Sequence, residues 1–100
     1  MEEQIRRITE AERALTRAQK AVDELTAAWE AYRAVEDDIA LLEKYLNSPE
    51  RRRDLDADEQ GNLPEKIPRG VLSEDGIWDL LERNSSLRRD ISREIGSFGT

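Results

Sequence analysis

From residue 8 onward, apolar side chains recur at the spacing of a helix that packs against another helix. Ile8, Ala11, Leu15, Ala18, Val22, Leu25, Trp29 and Tyr32 follow in alternating steps of three and four, with Ile5 just ahead of them. That alternation is a coiled-coil seam, because it keeps one narrow stripe facing a partner over many turns. The stripe continues through Val35, Ile39, Leu42 and Leu46, where two three-residue steps fall together once. Such a stammer locally overwinds a supercoil. Residues 1–46 hold neither Gly nor Pro and are dense in Ala, Leu, Glu, Arg and Gln. These are strong helix formers, and the pattern predicts one long helix over 1–46. Beside the seam lies a second stripe, Ala14, Ala18, Ala21, Leu25 and Ala28, whose small residues admit a close neighbour. Glu2–Arg6 and Glu3–Arg7 stand at i,i+4 in the favourable order and are expected to pair.

The pattern breaks over 47–72, which holds Pro49, Pro64, Pro68, Gly61 and Gly70 and reads as a folded connector. Ser48 is placed to cap a short helical turn, with Pro49 at its first position, where a missing N–H costs nothing. Helical spacing returns over 73–96. Ser73 is the expected N-cap, and Glu74 and Asp75 put negative charge where the helix dipole favours it. The apolar face of this helix is Ile77, Leu80, Leu81, Leu87, Ile91 and Ile95, with Asn84 on the same stripe and Trp78 to the side. The tail from Gly96 to Thr100 is expected to fray.

Length decides the next step. A last helix of about 23 residues spans roughly 35 Å, against roughly 65 Å for the first. Folded back antiparallel, it reaches from about Leu46 to Leu25 and leaves Ile5, Ile8, Leu15 and Val22 facing water. Burying a side chain of this size is worth ~1.5–3 kcal/mol, so the uncovered seam favours association. The expected architecture is therefore all-α and a single domain over 1–100. It is a helical hairpin, a long coiled-coil helix with a shorter antiparallel partner, assembled as a homo-oligomer, a dimer for preference, into a helical bundle.

Composition narrows the functions. Charged residues make up 39% of the 100 residues, mean hydropathy is −0.82, and 16 Lys and Arg against 23 Asp and Glu leave a net charge of −7. The charge is spread as −4, −1 and −2 over residues 1–46, 47–72 and 73–100, so no segment is basic. Nucleic acid, a polyanion, is not an expected partner. The chain has no Cys and no His, which excludes disulfides, thiol catalysis, His-paired nucleophiles and Cys/His zinc sites. No run approaches the ~18 apolar residues of a membrane span, and Met1-Glu2-Glu3-Gln4 is no apolar leader, so a cytoplasmic protein without membrane contact is expected.

The connector holds the remaining candidate chemistry. Arg51, Arg52 and Arg53 precede Asp54, Asp56, Asp58 and Glu59, and local pairing is expected over phosphate binding. Asp54, Asp56, Asp58, Asn62 and Glu65 match positions 1, 3, 5, 9 and 12 of an EF-hand loop. Position 6, where Gly makes the sharp turn, is Glu59, position 8 is Gly61, and Pro64 stands before the last ligand. These residues are read as caps and solvated charges, or as partners of Arg69, with a Ca²⁺ or Mg²⁺ site as the alternative. In Arg69-Gly70-Val71-Leu72-Ser73-Glu74-Asp75, Gly70 permits a turn with positive φ, and Val71 and Leu72 plug onto the helices. The segment is either a structural plug or a partner-binding surface.

Asp54 to Pro64, followed by Arg69-Gly70-Val71-Leu72-Ser73-Glu74-Asp75-Gly76-Ile77-Trp78-Asp79-Leu80-Leu81, resembles a bacterial family catalogued as domain of unknown function 4298. The R-G-V-L-S-E-D run is its signature, and D-E-x-G-x-L-P upstream, Tyr45 and Ser48 also fit. Three residues after that Ser the family pattern has an aromatic, usually Trp, where this chain has Arg51. The resemblance implies a small bacterial or phage-associated cytoplasmic helical protein and no activity. With Ser73 lacking any His or Cys partner and no sequence feature defining a pocket for paired carboxylates, the expected role is non-enzymatic and without cofactor. It is an oligomerisation and protein-interaction module that presents residues 69–75 to a protein partner.

Overall fold

The computed structural model describes residues 1–98 and is helical throughout them, with no strand. It contains α1 (Glu2–Ala34), α2 (Glu36–Leu46), α3 (Pro49–Glu59), a 3₁₀ turn (Gly70–Leu72) and α4 (Gly76–Phe98). The chain divides into two compact units, Met1–Glu36 and Asp37–Thr100. The all-α fold class, with a long N-terminal helix, a connector and a C-terminal helix, is the one expected.

In the first unit, Glu2 and Glu3 in the opening turn and Arg33 in the last complement the dipole of α1. Glu2–Arg6 and Glu3–Arg7 do not close. Lys20 and Glu24 do, at 3.9 Å and well exposed, a pair worth a few tenths of a kcal/mol. Thr9 and Thr26 turn their hydroxyls back onto the carbonyls of Ile5 and Val22, each at 2.8 Å. Trp29 and Tyr32, successive seam residues, stack with ring centroids 5.9 Å apart.

The helix expected over 1–46 is two helices. It breaks at Val35, where φ is −107° and ψ is 9°, and the Val35 N–H donates to the Tyr32 carbonyl at 3.1 Å. An i→i+3 bond is the 3₁₀ geometry, with three residues per turn. The seam takes its two consecutive three-residue steps, Trp29–Tyr32 and Tyr32–Val35, on reaching this point. The overwinding expected of the stammer is thus released as a local interruption rather than spread along a continuous helix.

In the second unit the connector is more regular than expected. α3 is a full helix of 11 residues, opened by Ser48 and Pro49 as the sequence predicted. The Ser48 hydroxyl accepts from the Arg51 N–H at 3.2 Å and donates to the Tyr45 carbonyl at 2.7 Å, tying α2 to α3. α3 ends on Gly61, whose φ is +73°. The Asn62 N–H reaches the Ala57 carbonyl at 2.9 Å and the Gly61 N–H reaches that of Asp58 at 3.0 Å. This pair of bonds is a Schellman motif, which needs the left-handed residue that Gly supplies. Gly70, for which a positive φ was expected, does not have one.

α4 starts at Gly76, three residues later than expected, and runs to Phe98; the last two residues of the predicted fraying tail lie outside the described residues. Ser73 still acts as a cap, its hydroxyl accepting from the Gly76 N–H at 3.0 Å while it donates to the Gly70 carbonyl at 2.7 Å. Ile77, in the first turn of α4, is 3% exposed and is the buried apolar residue of the described chain. Elsewhere in this unit Ile39, Leu42, Leu46, Leu55, Leu63, Leu72 and Leu81 are half-buried. Leu42 of α2 borders the same open groove as Ile77 and Leu80 of α4. Farther along α4, Leu87, Ile91 and Ile95 are exposed.

Candidate functional site

The signature segment 69–75 is organised around Arg69. Prolines 64 and 68 remove two backbone donors from the loop ahead of it; the Pro64 carbonyl accepts from the Ile67 N–H at 3.3 Å, while those of Leu63, Glu65 and Ile67 lack main-chain donors. Arg69 supplies them. Its Nη1 donates to the carbonyls of Glu65 at 3.0 Å and Ile67 at 3.1 Å, and its Nη2 to those of Pro64 at 2.8 Å and Leu63 at 3.4 Å. The Nε donates to Asp58 Oδ1 at 2.7 Å, an ion pair with both side chains about one-third exposed. A guanidinium has five N–H donors, and all five are used within the chain. The pairing of Arg69 with the acidic run, one of the readings of those carboxylates, is therefore realised through Asp58.

Two further contacts hold the turn that follows. Arg51, in the first turn of α3, donates from Nε to the Val71 carbonyl at 3.3 Å and from Nη2 to that of Ser73 at 3.2 Å. At the position where the family pattern has an aromatic, this chain thus fixes the 3₁₀ turn with a charged donor. Gly76 is the sterically required glycine: a Cβ there would stand 2.5 Å from both the Gly70 oxygen and the Ser73 hydroxyl. Neither Arg51 nor Gly76 is legible in the sequence as part of the turn. The partners of both are backbone carbonyls or a neighbouring cap, which leave no mark in residue identity.

The arginine cluster does not pair as a block. Arg52 and Asp56 form the expected local pair at 3.6 Å, an exposed i,i+4 contact, while Arg51 turns to carbonyls. Asp54 accepts from the Tyr45 hydroxyl at 2.6 Å, a second tie between α2 and α3. That bond, followed by burial and the nearby Asp54 charge, raises the Tyr45 phenol above its ordinary pKa, with Arg51 opposing.

The EF-hand alternative meets a different backbone. Asp54, Asp56 and Asp58 lie within α3, not in a loop, so successive carboxylates diverge around a helix. Each faces a different partner, Tyr45, Arg52 or Arg69, while Asn62 donates to Gln60 at 3.2 Å. Among the described residues no group of three or more carboxylates is placed to hold a metal ion.

What the segment leaves outward is its far edge. Val71, Glu74 and Asp75 are exposed, as are the flanking Ile67 and Trp78, whereas Arg69 and Leu72 are half-buried. The four seam residues of α1 are also exposed: Ile5 55%, Ile8 61%, Leu15 52% and Val22 62%. No helix among the described residues is long and apolar enough to cross a membrane.

No curated protein and no solved structure matches the chain. A family model for a domain of unknown function, DUF4298, matches residues 8–93, taking in the α1 seam, α3, the Arg69-centred turn and most of α4. Over that span, signature included, the chain belongs to the DUF4298 family.

Proposed function

We propose that this chain is a non-catalytic assembly module, which self-associates through α1 and offers the outer edge of the 69–75 turn to a protein partner. The observation that carries this reading is α1 itself, a helix of 33 residues with none buried and a seam of large apolar side chains in water.

Within the turn, Arg69, Arg51, Ser73 and Gly76 are occupied in holding the backbone, so a partner meets Val71, Glu74 and Asp75. A basic surface with an apolar contact fits that edge. The carboxylates of α3 diverge, and no observation favours the cation-binding alternative over this reading.

Sedimentation equilibrium of the full chain and of the Leu15→Lys/Val22→Lys double variant tests the self-association. A concentration-dependent dimer that the double variant abolishes, with residues 37–98 still folded, supports it. Equal monomer masses for both proteins at tens of micromolar overturn it.

A further inference from the structure

The seam of α1 carries a size code that fixes how two copies meet. Extending the three-four alternation backward from Ile8 puts Gln4 and Met1 on the same stripe. The ten seam positions over residues 1–32 are then Met1, Gln4, Ile8, Ala11, Leu15 and their continuation through Ala18, Val22, Leu25, Trp29 and Tyr32. Large residues occupy every second position without exception from Ile8 to Trp29. The intervening positions are small in the first half, Ala11 and Ala18, and large in the second, Leu25 and Tyr32.

Laid parallel and in register, two such helices bring like against like. Ala11 and Ala18 each face their own copy and leave thin layers, while Trp29 meets Trp29 in one crowded layer. Coiled-coil layers need near-constant volume, since both voids and overpacking are destabilising. The antiparallel arrangement removes the conflict. When Leu15 lies opposite the partner's Ala18, Ala11 falls opposite the partner's Val22 and Ile8 opposite the partner's Leu25. Every small residue then faces a large one, and the two-fold axis passes between residues 16 and 17.

The same register places the polar seam residue Gln4 opposite the partner's Trp29, whose indole N–H is a donor for the Gln4 amide oxygen. Met1 meets the partner's Tyr32 as a thioether against an aromatic edge. On one flank Ala14 comes opposite the partner's Ala21, so the small-residue stripe lines the closest approach of the two backbones. Each pairing is reciprocal, as an isologous interface requires. The occupant is a second copy because the seam is complementary to its own reverse. The overlap of residues 1–32 runs roughly 47 Å, and its large seam residues Ile8, Leu15, Val22, Leu25 and Trp29 are each about half exposed or more.

We propose that two copies pair antiparallel through α1, in the register Leu15 to the partner's Ala18. This rests on the self-association reading above and adds its orientation and register. The chain has no cysteine, so single-cysteine variants report geometry without interference. Ile8→Cys and Leu25→Cys full-length chains are oxidised separately and as an equimolar mixture, beside sedimentation of each reduced variant. The antiparallel register yields disulfide-linked dimer in the mixture, at least tenfold more than in either variant alone. In it, two copies of residue 8 stand roughly 25 Å apart at the helical rise. Efficient linking of each variant with itself overturns the proposal in favour of a parallel pair. Dimers by sedimentation that link in none of the three samples overturn the pairing of these seams. Monomers that link in none overturn the self-association reading together with it.

Discussion

Arg69 concentrates more of the local structure than any other side chain of the signature. Replacing it with Ala removes five hydrogen bonds and strands Asp58 without its cation. Bonds to a charged donor are worth more than neutral ones, although partial exposure dilutes each. Arg69→Ala is expected to lower unfolding stability by about 2–3 kcal/mol, read from the urea midpoint, with Arg69→Lys recovering only part. An unchanged midpoint would mean that water satisfies the loop equally well. Gly76→Ala forces a methyl group against the Gly70 oxygen and the Ser73 hydroxyl. It is expected to cost about 1–3 kcal/mol, while Gly70→Ala, with open space at its Cβ, changes little. Equal costs at the two glycines would contradict the assignment of Gly76 as the tight position. For Tyr45 the sign follows from which form bonds: the protonated phenol donates to Asp54, so its folded-state pKa is raised. Its contribution is complete below the ordinary tyrosine pKa of about 10 and is lost as pH rises through the raised value. Wild-type stability should therefore fall more steeply than that of Tyr45→Phe only in the alkaline range, and parallel profiles there would contradict the bond. Ser48 and Pro49 were legible in the sequence because a cap and its first turn are adjacent in the chain. The ties made by Arg51 were not, since its carbonyl partners lie 20 and 22 residues away.

Among the elements, α3 and the break at Val35 show how local signals combine. Both ends of α3 carried a signal, Ser48-Pro49 at the start and Gly61 at the finish. The alternating carboxylates between them suggested a loop, but an acidic segment with a cap at each end is also a good exposed helix. The stammer was visible as two short steps, but whether overwinding spreads or breaks depends on energies that spacing does not record. Here a single 3₁₀ bond absorbs it. α1 makes a different demand. A helix with none of its residues buried takes its stability from propensity alone, and in proteins most helical stability comes from packing an apolar face. Dilution from tens of micromolar to well below the dissociation constant is therefore expected to lower the helical circular dichroism signal as α1 frays. A signal independent of concentration over that range would show that α1 needs no partner to stay helical.

For the whole molecule, the all-α architecture and the family were both legible in the sequence, from helical periodicity and from the seven-residue signature respectively. What periodicity overstated was burial within the last helix: Leu87, Ile91 and Ile95 are exposed, and among the described residues only Ile77 is buried. One buried residue among those described is little support, given that a domain near this size is only marginally stable with a full core. Association is the remaining source of burial, and α1 carries the longest exposed apolar stripe. Sedimentation equilibrium of the full chain at tens of micromolar tests this most directly. The expected result is a dimer at twice the 11.5 kDa chain mass, reverting toward monomer in Leu15→Lys/Val22→Lys. A folded, fully helical monomer at those concentrations would contradict it.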